Sequence, residues 1–112
     1  MPRKFVTDST VHTLVLERLD VWGRCIHAQR VRQRITAIEL AERMQVSRAT
    51  VQRLERGDPG AAVSAYLTAL LVLGVFDLAV PELESSLWSD PPRLRVKPTG
   101  AQRSRARDDD DF

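Results

Sequence analysis

A single cysteine, Cys25, stands among 112 residues. A lone thiol cannot close an intramolecular disulfide, and no cysteine–histidine spacing suits zinc. The two histidines, His12 and His27, lie far apart with no carboxylate arrangement beside them, so surface or helix-packing roles are expected for both. No nucleophile–base pair, metal cluster or phosphate-cradling glycine loop is present, so no catalytic residues, no metal and no cofactor are expected, and the chain is not read as an enzyme. The longest apolar stretch, residues 63–76, is broken by Ser64, Thr68 and Gly74 and is too short to cross a bilayer. The opening MPRKFVTDST has a basic end and no apolar run, so no secretory signal is read there. The expectation is a cytoplasmic protein with no membrane partner.

The content is ordinary by comparison. Hydrophobic residues make up 43% of the chain, enough for one core with a tail. Formal charge is only +2, yet the pI is about 9.2. The balance hides segregation: arginines run through the body while Asp108–Asp111 closes the chain. A basic body suits a polyanion, but an arginine-rich composition also follows from high genomic GC content, so composition alone carries little weight.

The informative stretch is TAIELAERMQVSRATVQRLERG, residues 36–57. Thr36 and Glu39 match a capping box. Leu40, Ala41 and Met44 recur at helical spacing, predicting a helix over residues 37–44. Gln45-Val46 is the turn, and Ser47 caps a second helix. Gly57 ends that helix, and Asp58-Pro59-Gly60 keeps it from resuming. Projected at about 100° per residue, Arg48, Ala49, Gln52, Arg53 and Arg56 share one arc of about 140°. Val51 and Leu54 fall on the other side, with Ser47 between. The outer groups are those that read base edges: guanidinium for guanine, amide for adenine, methyl for the thymine methyl. A solvated basic face is the plain alternative for a lone helix. The capped helix before it, small Ala41 at the crossing and the tight turn favour a helix-turn-helix.

Ile35-Thr36, Glu39-Leu40-Ala41, Val46-Ser47-Arg48, Thr50-Val51 and Leu54-Glu55-Arg56-Gly57 carry a resemblance. Residues about 23–74 look like the Xre/Cro-type helix-turn-helix family of phage repressors and bacterial regulators. RLERGDPG, followed by an alanine- and leucine-rich helix ending Leu73-Gly74, is more narrowly similar to HipB-like antitoxins. The resemblance implies an all-α, five-helix, lambda-repressor-like domain. It also implies a homodimer reading a palindromic operator in double-stranded DNA, and a partly buried salt bridge between Arg30 and Glu55. Arg48, Ala49, Gln52 and Arg53 are expected at base edges, and Thr36, Ser47, Thr50 and Arg56 at phosphates. Three positions depart from the family pattern. Ala37 replaces a glutamine that contacts phosphate, and Arg34 and Gln45 stand where glycine is usual, at turn positions that favour positive φ.

Around this centre, residues 1–22 are expected as an arm and helical extension, 23–80 as the DNA-binding domain, and 81–112 as a largely disordered or partner-binding tail. Asp8 or Ser9 is suited to cap the first helix. Val11, Val15, Leu19, Trp22, Ile26 and Val31 mark an apolar stripe on either one long helix or two meeting near Gly23. Residues 63–73 are apolar nearly all round, so burial on every side is expected. That burial would come from a second subunit through Leu67, Leu70, Leu71, Val75, Phe76 and Leu78, or from the extension within one chain. Leu83, Leu87 and Trp88 suggest one short helix. In the tail, Trp88, Leu94 and Val96 are candidate anchors for a partner groove, and Arg93, Arg95 and Lys97 for DNA. Three functional readings stand: a stand-alone regulator, a HipB-like antitoxin with a HipA-like kinase toxin as partner, and an interaction module that has lost DNA reading.

Overall fold

The computed structural model describes residues 11–90. Five α-helices follow in order: α1 (Thr13–Arg32), α2 (Ala37–Met44), α3 (Arg48–Glu55), α4 (Val63–Val72) and α5 (Phe76–Ala79). The chain divides into two units after Pro81. All five helices belong to the first. The described part of the second holds a 3-10 turn, Ser85–Leu87, in place of the expected short helix. No strand occurs among the described residues. The fold is all-α.

α1 is one helix of 20 residues, not two. The extension and the first helix of the domain are therefore continuous across Trp22-Gly23. Its cap is His12, whose Nδ1 accepts from the Leu14 amide at 3.0 Å. Asp8 and Ser9 lie outside the described residues. The predicted apolar stripe packs only in part. Ile26 is fully buried, and Leu19, Trp22 and Cys25 lie against the core. Val15 and Val31 face outward, because their positions rotate off the side that meets α3 and α4.

Four helices end in the same way. Arg34 and Gln45 adopt φ of 59° and 61°, and Gly57 and Gly74 adopt 71° and 84°. After each, the next residue's amide reaches back five positions: Ile35 to Arg30, Val46 to Ala41, Asp58 to Arg53 and Val75 to Leu70, at 2.9–3.1 Å. This left-handed residue followed by a six-to-one bond is the Schellman termination. Ile35, Val46 and Val75 then fold onto the core. A non-glycine residue in the left-handed region costs about 1–2 kcal/mol, whereas glycine loses about 0.5–1 kcal/mol of unfolded-chain entropy. The difference favours glycine. Gln45→Gly is therefore expected to raise stability by about 0.5–1 kcal/mol in urea denaturation with an unchanged slope.

The core is Ile26, Ile35, Leu40, Ala41, Met44, Val51, Leu54, Tyr66, Ala69, Leu70 and Leu73. Trp22 stacks at a tilt on Tyr66, with ring centroids 5.7 Å apart. Gln33 Nε2 donates to the Leu73 carbonyl at 2.8 Å, tying the end of α1 to the end of α4. α4 is not buried on every side in the single chain. Tyr66, Ala69 and Leu70 are inside, while Val63 and Leu71 are exposed.

α1 meets the end of α3 through glycine. A β-carbon on Gly23 would lie 2.6 Å from the Leu54 carbonyl oxygen, 2.8 Å from that of Glu55 and 2.9 Å from the Gly57 nitrogen. One on Gly57 would lie 2.9 Å from Asp20 Cα and the Leu19 oxygen. The two backbones touch here with no side chain between.

Candidate nucleic-acid interface

The site starts with two caps. Thr36 accepts from the Glu39 amide at 3.0 Å, and Glu39 Oε1 accepts from the Thr36 amide at 2.8 Å. Both halves of the capping box are made. Ser47 Oγ accepts from the Thr50 amide at 3.1 Å and sits 3.1 Å from Thr50 Oγ1. The hydroxyls expected at phosphates therefore already serve the helix starts. Thr36 and Ser47 are exposed and Thr50 is half-buried. Ala37 is half-buried against the core and offers no side-chain donor.

α3 has two faces. Val51 and Leu54 are fully buried. Arg48, Ala49 and Gln52 are exposed. Arg56 is also exposed, but it is the cap residue beyond the last turn of α3. Arg53 differs from the others. Its Nε donates to Asp58 Oδ2 at 2.9 Å, and its side chain remains 42% exposed. The Arg53 guanidinium, helped by the Gly60 amide, holds the Asp58 carboxyl below its ordinary range. The sequence shows Asp58 only as part of a helix-stopping loop, and no residue spacing signals this pair.

Behind α3 the expected ion pair is present. Arg30 Nε donates to Glu55 Oε2 at 2.6 Å and Arg30 Nη2 to Oε1 at 3.2 Å. Arg30 Nη1 also donates to the Ile35 carbonyl at 3.0 Å. One guanidinium thus joins α1, the start of the α2 segment and the end of α3. Burial alone would raise the Glu55 carboxyl; hydrogen bonds from Arg30 and His27 overcome that and bring it below the usual range. Arg30 is correspondingly raised by the Glu55 bond. His27 joins this cluster unforeseen. Its Nδ1 lies 3.0 Å from Glu55 Oε1 and 3.3 Å from Arg30 Nη2. A protonated Nδ1 donates to the carboxylate, and a bare Nδ1 accepts from the guanidinium.

The residues expected at a subunit interface do not share one environment. Leu70 is fully buried by its own chain, so it is a core residue and cannot face a partner. A helix apolar on every side has no periodicity from which that distinction could be read. Leu67, Val75 and Phe76 are half-buried. Leu71 and Leu78 are exposed at 62% and 85%. In the second unit Trp88 is exposed, and its Nε1 approaches the Leu83 carbonyl at 3.4 Å. Leu94 and Val96 lie outside the described residues, as do Arg93, Arg95 and Lys97.

Among the described residues no His, Cys, Asp and Glu group is arranged to hold a metal. No helix among them is long and apolar enough to cross a membrane. Residues 26–71 match the family model described as helix-turn-helix. That match supports the Xre/Cro-type resemblance and a DNA-binding transcription regulator. No curated protein and no solved structure matches the chain.

Proposed function

We propose, with the helix-turn-helix over residues 26–71 as premise, that this chain is a sequence-specific DNA-binding repressor that works as a homodimer on a palindromic operator in the cytoplasm. The observation that carries the proposal is the division of α3. Its inner face, Val51 and Leu54, is fully buried, which fixes the helix. Its outer face leaves Arg48, Ala49 and Gln52 uncovered with groups complementary to base edges in the major groove. Exposed Leu71 and Leu78, beside half-buried Leu67, Val75 and Phe76, support a second copy at α4 and α5. Two reading helices would then sit about one helical turn, 34 Å, apart.

In this proposal Arg48, Ala49, Gln52 and Arg53 contact bases, whereas Thr36, Ser47, Thr50 and Arg56 contact phosphates and set register. Binding to the protein's own promoter should exceed binding to a scrambled duplex, and both should weaken as salt rises. Arg48→Ala is expected to cost about 1–3 kcal/mol on the preferred site and to relax the preferred base. Arg56→Ala should weaken all duplexes alike and lower the salt slope by about 1. Titrations of both variants at several salt concentrations check this sorting. Equal affinity for promoter and scrambled DNA in the parent protein would remove the repressor reading.

The RLERGDPG segment extends the proposal to an antitoxin that neutralises a HipA-like kinase toxin and represses its own operon. Sequence resemblance alone supports that extension. A neighbouring reading frame for a kinase-like protein that co-purifies with this chain would establish it, and absence of such a gene would leave a stand-alone regulator.

A further inference from the structure

The loop after α3 is built around Asp58. Its amide donates to the Arg53 carbonyl at 3.1 Å. Its carbonyl accepts from the Tyr66 hydroxyl at 2.7 Å, and Tyr66 is fully buried in the core. Its Oδ1 accepts from the Gly60 amide at 2.7 Å. Three bonds therefore fix this residue before its remaining oxygen, Oδ2, takes the Arg53 Nε at 2.9 Å. We infer that Asp58 is a positioning residue for base recognition: it grips Arg53 by Nε and so presents the terminal guanidinium nitrogens as a fixed fork for a guanine. The inference rests on the DNA-reading role proposed above and deepens it.

Three arguments carry it. An arginine has five donors in a planar fork, and a carboxylate on Nε consumes one of them. The two terminal nitrogens keep their N–H groups for guanine O6 and N7, which accept as a pair. Second, fixing the long side chain beforehand removes part of the ordering cost of binding. Third, the pair is ill placed to be a stability device. The Arg53 side chain is 42% exposed and that of Asp58 28%, and ion pairs so open to water contribute little to folding. A carboxylate beside the reading helix also repels phosphate. Asp58 thus lowers attraction to DNA in general while sharpening the choice among sequences.

The test uses the full chain and a random-sequence duplex library. Sites are selected with the parent protein, Asp58→Asn, Arg53→Ala and the double variant. Asn keeps an Oδ1 acceptor for the Gly60 amide, but its Nδ2 cannot accept from Arg53. The parent should enrich a guanine at one position of each half-site. Asp58→Asn should lose about tenfold discrimination at that position alone, with affinity for unrelated duplex unchanged or higher because one negative charge is gone. Adding Asp58→Asn to Arg53→Ala should change discrimination no further. Full discrimination retained in Asp58→Asn overturns the inference while leaving DNA reading intact. Loss at every position together with a lowered melting temperature overturns it in favour of a purely structural role. No enriched sequence with the parent protein overturns the DNA-reading proposal and this inference with it.

Discussion

Gly23→Ala is expected to destabilise the protein by about 2 kcal/mol net, although alanine in a helix interior normally gains about 1 kcal/mol over glycine. The sign is decided by what surrounds the added methyl. Three backbone atoms of residues 54–57 would stand 2.6–2.9 Å from it. None can rotate away as a side-chain end could, so α1 and the end of α3 must separate. Overpacking of that kind costs about 1–3 kcal/mol and occasionally more, and the contact between two main chains places this case at the upper end. Urea denaturation of the variant should show a lower midpoint. An unchanged or raised midpoint would mean that α1 and α3 are not seated as described. Since α3 is the proposed reading helix, the same substitution should also weaken DNA binding beyond what the unfolded fraction accounts for.

Glu55→Ala should cost about 3 kcal/mol at neutral pH. The reason is the charge left behind. Arg30 and Glu55 are only 15% and 14% exposed, so removing the carboxylate strands a guanidinium in a poorly hydrated site. The bond between Arg30 and the Ile35 carbonyl satisfies one donor and leaves the charge unpaired. The pair also carries a pH signature. Glu55 is lowered in the folded protein because the Arg30 and His27 bonds outweigh its burial. A carboxyl lowered on folding adds stability that is fully present above its unfolded value, about 4.3, and is lost as pH falls through the folded value. Stability followed from pH 7 downward should therefore fall in the acid range, and less steeply in Glu55→Gln. Equal acid limbs for the two proteins would contradict the assignment. Asp58 is lowered in the same direction by Arg53 and the Gly60 amide, but that pair is open to water, so it should leave only a small acid dependence in Glu55→Gln.

These two sites differ in how visible they are in the sequence. The bounds of α2 and α3 can be read residue by residue, because local chemistry sets them: a threonine–glutamate box, a serine cap, and left-handed positions at Gln45 and Gly57. The Arg30–Glu55 bond joins residues 25 positions apart, and only the family resemblance points to it. The seat at Gly23 was legible only as a candidate break in a helix. Its actual role depends on another helix arriving from more than thirty residues away, which no local pattern encodes. The same holds for Arg53 and Asp58. Helical projection puts Arg53 on the outer arc, but the carboxylate beside it comes from a loop whose Asp58 carbonyl is held by the Tyr66 hydroxyl. His12 and His27 both lie at the surface, as expected, and each adds a contact there: one caps α1 and the other adjoins the ion pair. Both outcomes need a rotamer and a neighbour that spacing does not specify.

The glycine seat also bears on engineering. A transplant of residues 36–57 into a foreign host would leave Gly23 and Arg30 behind, and α3 would lose both the surface it rests on and its electrostatic anchor. Under the proposed DNA-reading role, sequence preference would thus not be a portable cassette. It would belong to outward side chains at positions 48, 49, 52 and 53, to be rewritten in place while Gly23, Arg30 and Glu55 stay untouched.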